Sequence, residues 1–272
     1  MIRVMAADGT EARAVDEGRG PIVLVLHPGL DDGSSWREVA ERLAARHRVV
    51  RLHRRRYRLD LDGASCTVAQ EVEHVQAVVA ALGGGPMVLV GHSSGAVIAL
   101  EALVADPSAF AGAVLYEPPT VIGAPLGGPH GEIHARARAA IAAGRPGKAM
   151  RVFLRGTVRV PAWVAFLAGV FVTMMPRMRA LVSPQIEDNV GMDSLGVRLD
   201  AYSGIEVPTV LLGGDRSPAH LVERLDALER VMPRVERVVL RGQGHAAHAK
   251  APGQVAAVID AFAAKVLDRA AD

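Results

Sequence analysis

The chain has 272 residues, half of them hydrophobic, which is enough for one large core. Its 31 basic and 29 acidic side chains nearly cancel, so the charge balance carries no nucleic-acid footprint. Cys66 is the only cysteine and excludes an internal disulfide, and the first residues lack the apolar region of a signal peptide; both point to a reducing cytoplasm.

The opening "IRVMA" and "ARAVD" read as a hairpin turning at Asp8-Gly9. "IVLVL" is continuously apolar, the mark of a strand covered on both faces. "SWREVAERLAA" follows as an amphipathic helix, "RVVRL" as a strand, and "TVAQEVEHVQAVVAALG" as a helix stopped by glycine. "MVLVG" and "GAVLY" are two more buried strands, flanking a helix that begins inside "GHSSG". This alternation predicts an α/β fold with a doubly wound, mostly parallel sheet.

The rhythm breaks over residues 119–206, where helical patterns occur without a convincing strand. It resumes with "PTVLLGG", "AHLVERLDALERVM", "VERVVLRG" and a closing helix, so eight strands are expected, with a helical insert after the sixth. The expected core is thus 1–118 plus 207–272, with "GAPLGGPHG" as a hinge into the insert. The most apolar stretch, "VPAWVAFLAGVFVTMM", spans 16 residues and contains a proline. A membrane-crossing helix needs roughly 20, so it reads as a buried or cavity-lining helix and no stable membrane insertion is expected.

Ser93 stands between two glycines where a buried strand turns at once into a helix. A turn of this kind needs glycine in any case, and serine is a common turn residue. The chemical reading is that the sharp turn exposes the Ser93 hydroxyl at the sheet edge. A serine hydroxyl is a weak nucleophile and needs a base; His245, in the glycine-rich "RGQGHAAHAK", follows the eighth strand and supplies one. His248 completes a His-x-x-His spacing, but no Glu or Cys stands nearby to finish a metal site. Two carboxylates compete to orient the histidine: Glu117 at the end of the sixth strand and Asp215 after the seventh. Spacing does not separate them. An oxyanion needs backbone N–H donors, which Ser94 and Gly29 can provide, since Pro28 has none.

At this point the sequence resembles the α/β-hydrolase superfamily along nearly its whole length. "LHPGL" resembles the family's oxyanion loop, "GHSSG" its nucleophile elbow and "GQGHAA" its histidine loop, while the insert falls where the family places a cap. The resemblance implies Ser93 as nucleophile, His245 as base, Gly29 and Ser94 as oxyanion donors, and no cofactor or metal. Most members of the family carry the acid after the seventh strand; a minority, after the sixth. The spacing around Asp215 is one residue off the common pattern, which tips the balance slightly to Glu117. The family's Gly-x-Gly segment after the fourth strand is replaced here by His53 to Asp60, with Arg54, Arg55, Arg56 and Arg58. That is either a solvated basic loop or a positive field favouring an anionic substrate.

The expected chemistry is acyl transfer to water on an ester, thioester, lactone or amide of a small, largely apolar molecule. Trp163, Phe166, Phe171, Met174 and Met175 of the insert are the expected substrate-binding side chains. The same fold also admits a lyase, a cyclase or C–C bond cleavage with His245 as base, and a small-molecule binding protein.

Overall fold

A computed structural model describes residues 1–61 and 66–271, with side chains up to 267 at the C-terminal end. Eight strands form one sheet: β1 (Ile2–Met5), β2 (Glu11–Gly18), β3 (Ile22–Leu26), β4 (Arg48–His53), β5 (Met87–His92), β6 (Phe110–Tyr116), β7 (Thr209–Gly214) and β8 (Val235–Leu240). Their spatial order is β1-β2-β4-β3-β5-β6-β7-β8; β1, β2 and β4 pair antiparallel and the rest parallel. The fold class read from the sequence is therefore the one observed. Chain progression reverses between β3 and β5, and ligands of open α/β sheets bind outside the carboxyl ends of strands at such a switch point.

Helices α1 (Arg37–Leu43), α2 (Val68–Ala81) and α3 (Ser94–Ala105) fill the first half. The start of α2 is fixed by a capping box: Thr67 Oγ1 accepts from the Gln70 N–H, and Gln70 Oε1 accepts from the Thr67 N–H. Four helices follow β6: α4 (Glu132–Ala142), α5 (Pro146–Gly156), α6 (Ala162–Met174) and α7 (Pro176–Leu195). They share a small core of Ala137, Met150, Phe153, Val172, Val182 and Ile186. The short α8 (Leu199–Tyr202) leads back to the sheet, where Tyr202 and Ile205 join the main core. The rest comprises α9 (Ala219–Val231), α10 (Ala247–Lys250) and α11 (Pro252–Ala271).

Two apolar layers sandwich the sheet. Val72, Val75, Ile98, Leu225 and Leu228 pack against one face, and Trp36, Val39, Val255, Ile259 and Phe262 against the other. The helical block rests on α3 through Val97, Val121, Leu126 and Met192. The glycine-rich segment expected as a hinge is tied down: the Leu126 and Gly127 N–H groups donate to the Asp193 carboxylate at 2.6 and 2.8 Å.

Candidate active site

The turn after β5 forces Ser93 to φ 53° and ψ −127°, a conformation costly for a residue with a Cβ. Its neighbours explain why it must be glycine-flanked. A Cβ on Gly91 would strike the Ala96 backbone, and one on Gly95 would strike the carbonyl oxygens of Leu26 and His27. The Ser93 N–H donates to the Tyr116 carbonyl at 2.8 Å, anchoring the turn to β6. Ser94 is the first residue of α3, where backbone N–H groups have no intrahelical acceptor.

Gly29 lies beside this turn. His27, fully buried, donates Nδ1–H to the Pro28 carbonyl at 2.8 Å and accepts the Arg54 N–H on Nε2 at 3.1 Å. Burial pushes the His27 pKa down to about 4, so the ring is neutral and this tautomer is set by its partners. In a trans peptide the N–H points opposite the carbonyl. The Gly29 N–H is thus directed away from the buried imidazole. A Cβ on Gly29 would meet the Gln185 amide and the Tyr57 hydroxyl, so a larger residue there requires those side chains to move.

His245 Nδ1 lies 2.6 Å from Glu117 Oε2. Glu117 is wholly buried at φ 47°, and its other oxygen accepts from the Gly214 N–H at 3.0 Å and from the Ser217 hydroxyl. Asp215 takes no part: its side chain is exposed and makes no hydrogen bond to His245. The end of β7 supplies donors to the Glu117 carboxylate, and the turn that does so leaves Asp215 facing water.

The histidine loop is held by the residues just before Ser93 and Glu117. His92 accepts from Trp36 Nε1–H on Nδ1 at 3.3 Å and donates Nε2–H to the His245 carbonyl at 3.0 Å. Burial, then His248 and His245, hold the His92 pKa well below its usual value, so it stays neutral. The Tyr116 hydroxyl donates to the Gly244 carbonyl and accepts the Ala247 N–H at 3.1 Å. The two rings stack, with centroids 4.3 Å apart and 11° between planes. His248 stacks on Trp36, and burial lowers its pKa to about 4. Among the described residues no three His, Cys, Asp or Glu side chains converge to hold a metal ion.

Ser93, Ser94, Gly29 and His245 line one cavity of about 390 Å³. No hydrogen bond joins the Ser93 and His245 side chains within it. Its apolar walls include Leu30, Leu126, Phe153, Val158, Met192 and Leu221, and its polar lining includes Asp31, Gln185 and Asn189. Trp163, Phe166, Phe171, Met174 and Met175 are not among the lining residues. They are exposed, on α6 and at Met175 just after it, which corrects their expected role: Leu126, Phe153, Leu154, Val158 and Met192 supply the insert's apolar lining instead.

The arginine segment fits neither reading made from sequence. Arg54, Arg55 and Arg58 are buried and neutralised, by Glu71 and Asp188, by Asp8 and by Asp60 respectively. Arg54 Nη1 also donates to Ser94 Oγ at 2.8 Å, and the Tyr57 hydroxyl donates to Asp188 at 2.7 Å. Burial alone would raise the Asp188 pKa, but the Arg54 and Arg56 guanidiniums more than offset it and hold it low. Distant carboxylates are what sequence reading missed here. His92 and Tyr116 had a legible signal: each precedes a candidate residue at a strand end, where alternation turns it to the opposite face.

Residues 22–258 match the model of the alpha/beta hydrolase family. An alpha/beta hydrolase from Sphaerobacter thermophilus superposes with a TM-score of 0.81 at 26% identity, covering 96% of this chain and 99% of the other. A thermophilic esterase from Thermogutta terrifontis gives 0.77 at 21% identity, covering 97% and 98%. Est816, described as degrading N-acyl homoserine lactones, gives 0.73 at 20% identity, covering 96% and 100%. No curated protein matches the chain. With the family model spanning most of its length, the chain belongs to the alpha/beta hydrolase family.

Proposed function

We propose that the protein is a cofactor-independent serine hydrolase that cleaves an ester or lactone through Ser93, His245 and Glu117. The observation that carries this is the 2.6 Å pairing of His245 Nδ1 with a buried carboxylate, on a histidine that shares its cavity with a serine held at φ 53°. The names borne by structural neighbours, an esterase and an enzyme degrading acyl homoserine lactones, favour the same bond class.

In this reading, Glu117 fixes the tautomer with Nδ1–H, leaving Nε2 to take the Ser93 proton. Ser93 attacks the carbonyl carbon, and the oxyanion is received by the N–H groups of Ser94 and Gly29. His245 then protonates the leaving alkoxide, and water, deprotonated by the same imidazole, releases the acid and restores the serine. Residues 119–206 act as a cap whose α5 and α7 side chains enclose the acyl group. The walls are mainly apolar and Asp31 is the acidic group in the lining, so a neutral, largely apolar substrate suits the cavity better than an anionic one. The Ser93→Ala protein should lose p-nitrophenyl ester turnover by roughly 10³-fold or more. Unchanged turnover would remove Ser93 from the chemistry.

A further inference from the structure

A helix face in contact with water ordinarily carries polar side chains. The exposed face of α6 carries a single one, Thr173. The helix buries only Ala165, Gly169 and Val172, along a tight seam where Gly147 of α5 and Gly169 leave each other no room for a Cβ. Trp163, Phe166, Leu167, Val170, Phe171 and Met174 stay exposed, Trp163 to 67% and Met174 to 74%. No residue from Ala162 to Met174 is charged, and the hydroxyl of Thr173 is donated back to the Gly169 carbonyl at 2.8 Å. A continuous patch of this kind marks a contact surface.

The surrounding charge is of one sign. From Ile133 to Ile186 the chain has no Asp or Glu, but carries Arg136, Arg138, Arg145, Lys148, Arg151, Arg155, Arg159, Arg177 and Arg179. Arg138 pairs with Glu187 and Arg177 with Asp32; the other seven make no salt bridge among the described residues. Arg136, Lys148, Arg151 and Arg155 line a single groove, and the Arg151 guanidinium lies 5.6 Å over the Phe166 ring. The cationic groove and the apolar face are therefore contiguous. In a chain whose net charge is only +2 this is segregation, not excess.

We propose that α6 and the cationic groove beside it form a docking surface for an anionic phospholipid bilayer. Phe166, Leu167, Val170 and Phe171 enter the boundary between headgroups and acyl chains, Trp163 sits at the interface, and the guanidiniums meet the lipid phosphates. A second copy of the chain is the poorer occupant, because a two-fold contact lays the same patch against itself and brings two cationic grooves together. The helix lies on the bilayer and does not cross it. It has 13 residues against the roughly 20 needed, and α7, bent away by 119°, buries Val182, Gln185, Ile186 and Asp188 within the protein. The inference stands on the surface alone and is independent of the chemistry at Ser93.

The test is flotation of the full chain with vesicles of phosphatidylglycerol and phosphatidylcholine, beside vesicles of phosphatidylcholine alone. Trp36 is fully buried, so a blue shift of tryptophan emission on mixing reports Trp163. The expected result is flotation and a blue shift with the anionic vesicles only, both lost in high salt. Leu167→Asp and the pair Arg151→Glu with Arg155→Glu should each abolish flotation while melting at the wild-type temperature. Absence of flotation and of the wild-type emission shift would overturn the proposal. So would flotation that survives both variants, or a lipid-free dimer in sedimentation that Leu167→Asp dissolves.

Discussion

His245 Nδ1 and Glu117 Oε2 stand 2.6 Å apart across 128 residues of chain, with the carboxylate wholly buried and the imidazole open to the cavity. The other carboxylate oxygen is taken up by the Gly214 N–H and the Ser217 hydroxyl, so its orientation toward the histidine is fixed.

That pairing separates two variants of similar conservatism. Glu117→Gln keeps the shape but offers an amide where a carboxylate stabilised the imidazolium, and turnover of a p-nitrophenyl ester should fall about 10⁴-fold. Asp215→Asn should leave turnover near wild type. Steady-state kcat/KM for both variants decides; equal losses would contradict the assignment.

Tyr116 acts on the histidine loop through one hydroxyl shared between the Gly244 carbonyl and the Ala247 N–H. Tyr116→Phe removes the hydroxyl from both groups and leaves them only their mutual 3.0 Å bond from the Ala247 N–H to the Gly244 carbonyl, which should cost about 0.5–1.5 kcal/mol of stability. Because the loop carries His245, kcat should fall while KM changes little. Urea denaturation and a kcat against KM comparison measure the two effects; an unchanged kcat would show that the loop holds its place without the hydroxyl.

Arg54 is the buried counter-charge of Glu71 and Asp188 and supports Ser94 from below. Arg54→Met strands two buried carboxylates, and the expected loss is about 3–5 kcal/mol. Arg54→Lys should not restore it, since an ammonium cannot reproduce the fork that reaches Glu71, Asp188 and Ser94 together. Urea midpoints for the two variants are the measurement, and a loss below about 1 kcal/mol for Arg54→Met would be at odds with a paired network.

Three buried imidazoles should make the fold acid-sensitive. Burial lowers His27 and His248 from 6.5 to about 4 and holds His92 well below its usual value. Between these values the unfolded chain binds protons that the folded protein excludes, so stability falls as pH falls. The contribution is fully present above about pH 6.5 and is lost on acidification toward pH 4. Each displacement from 6.5 to about 4 corresponds to about 3 kcal/mol. Urea midpoints at about pH 7 and pH 5 should show the drop; equal midpoints would mean that these rings protonate within the fold.

The strands were legible because β3, β5, β6 and β7 are continuous apolar runs covered on both faces, and the turn at Ser93 because close helix–strand packing tolerates nothing larger than Gly91 and Gly95. The choice between Glu117 and Asp215 was legible only as a slight lean to Glu117 from the spacing around Asp215, since it depends on which of two strand ends turns its side chain inward. Composition also misled at α6: its apolar residues were visible, but which side of the helix the insert would bury was not. For the arginine segment, the neutralising carboxylates Asp8, Glu71 and Asp188 come from remote parts of the chain, so their pairing left no local trace.

The most direct measurement is the intact mass of the protein after exposure to a fluorophosphonate, with the modified peptide then located. The account predicts one phosphonyl group, carried by Ser93, with slow labelling of Glu117→Gln and none of Ser93→Ala. A label on another residue, or one that Ser93→Ala still acquires at the wild-type rate, would contradict it.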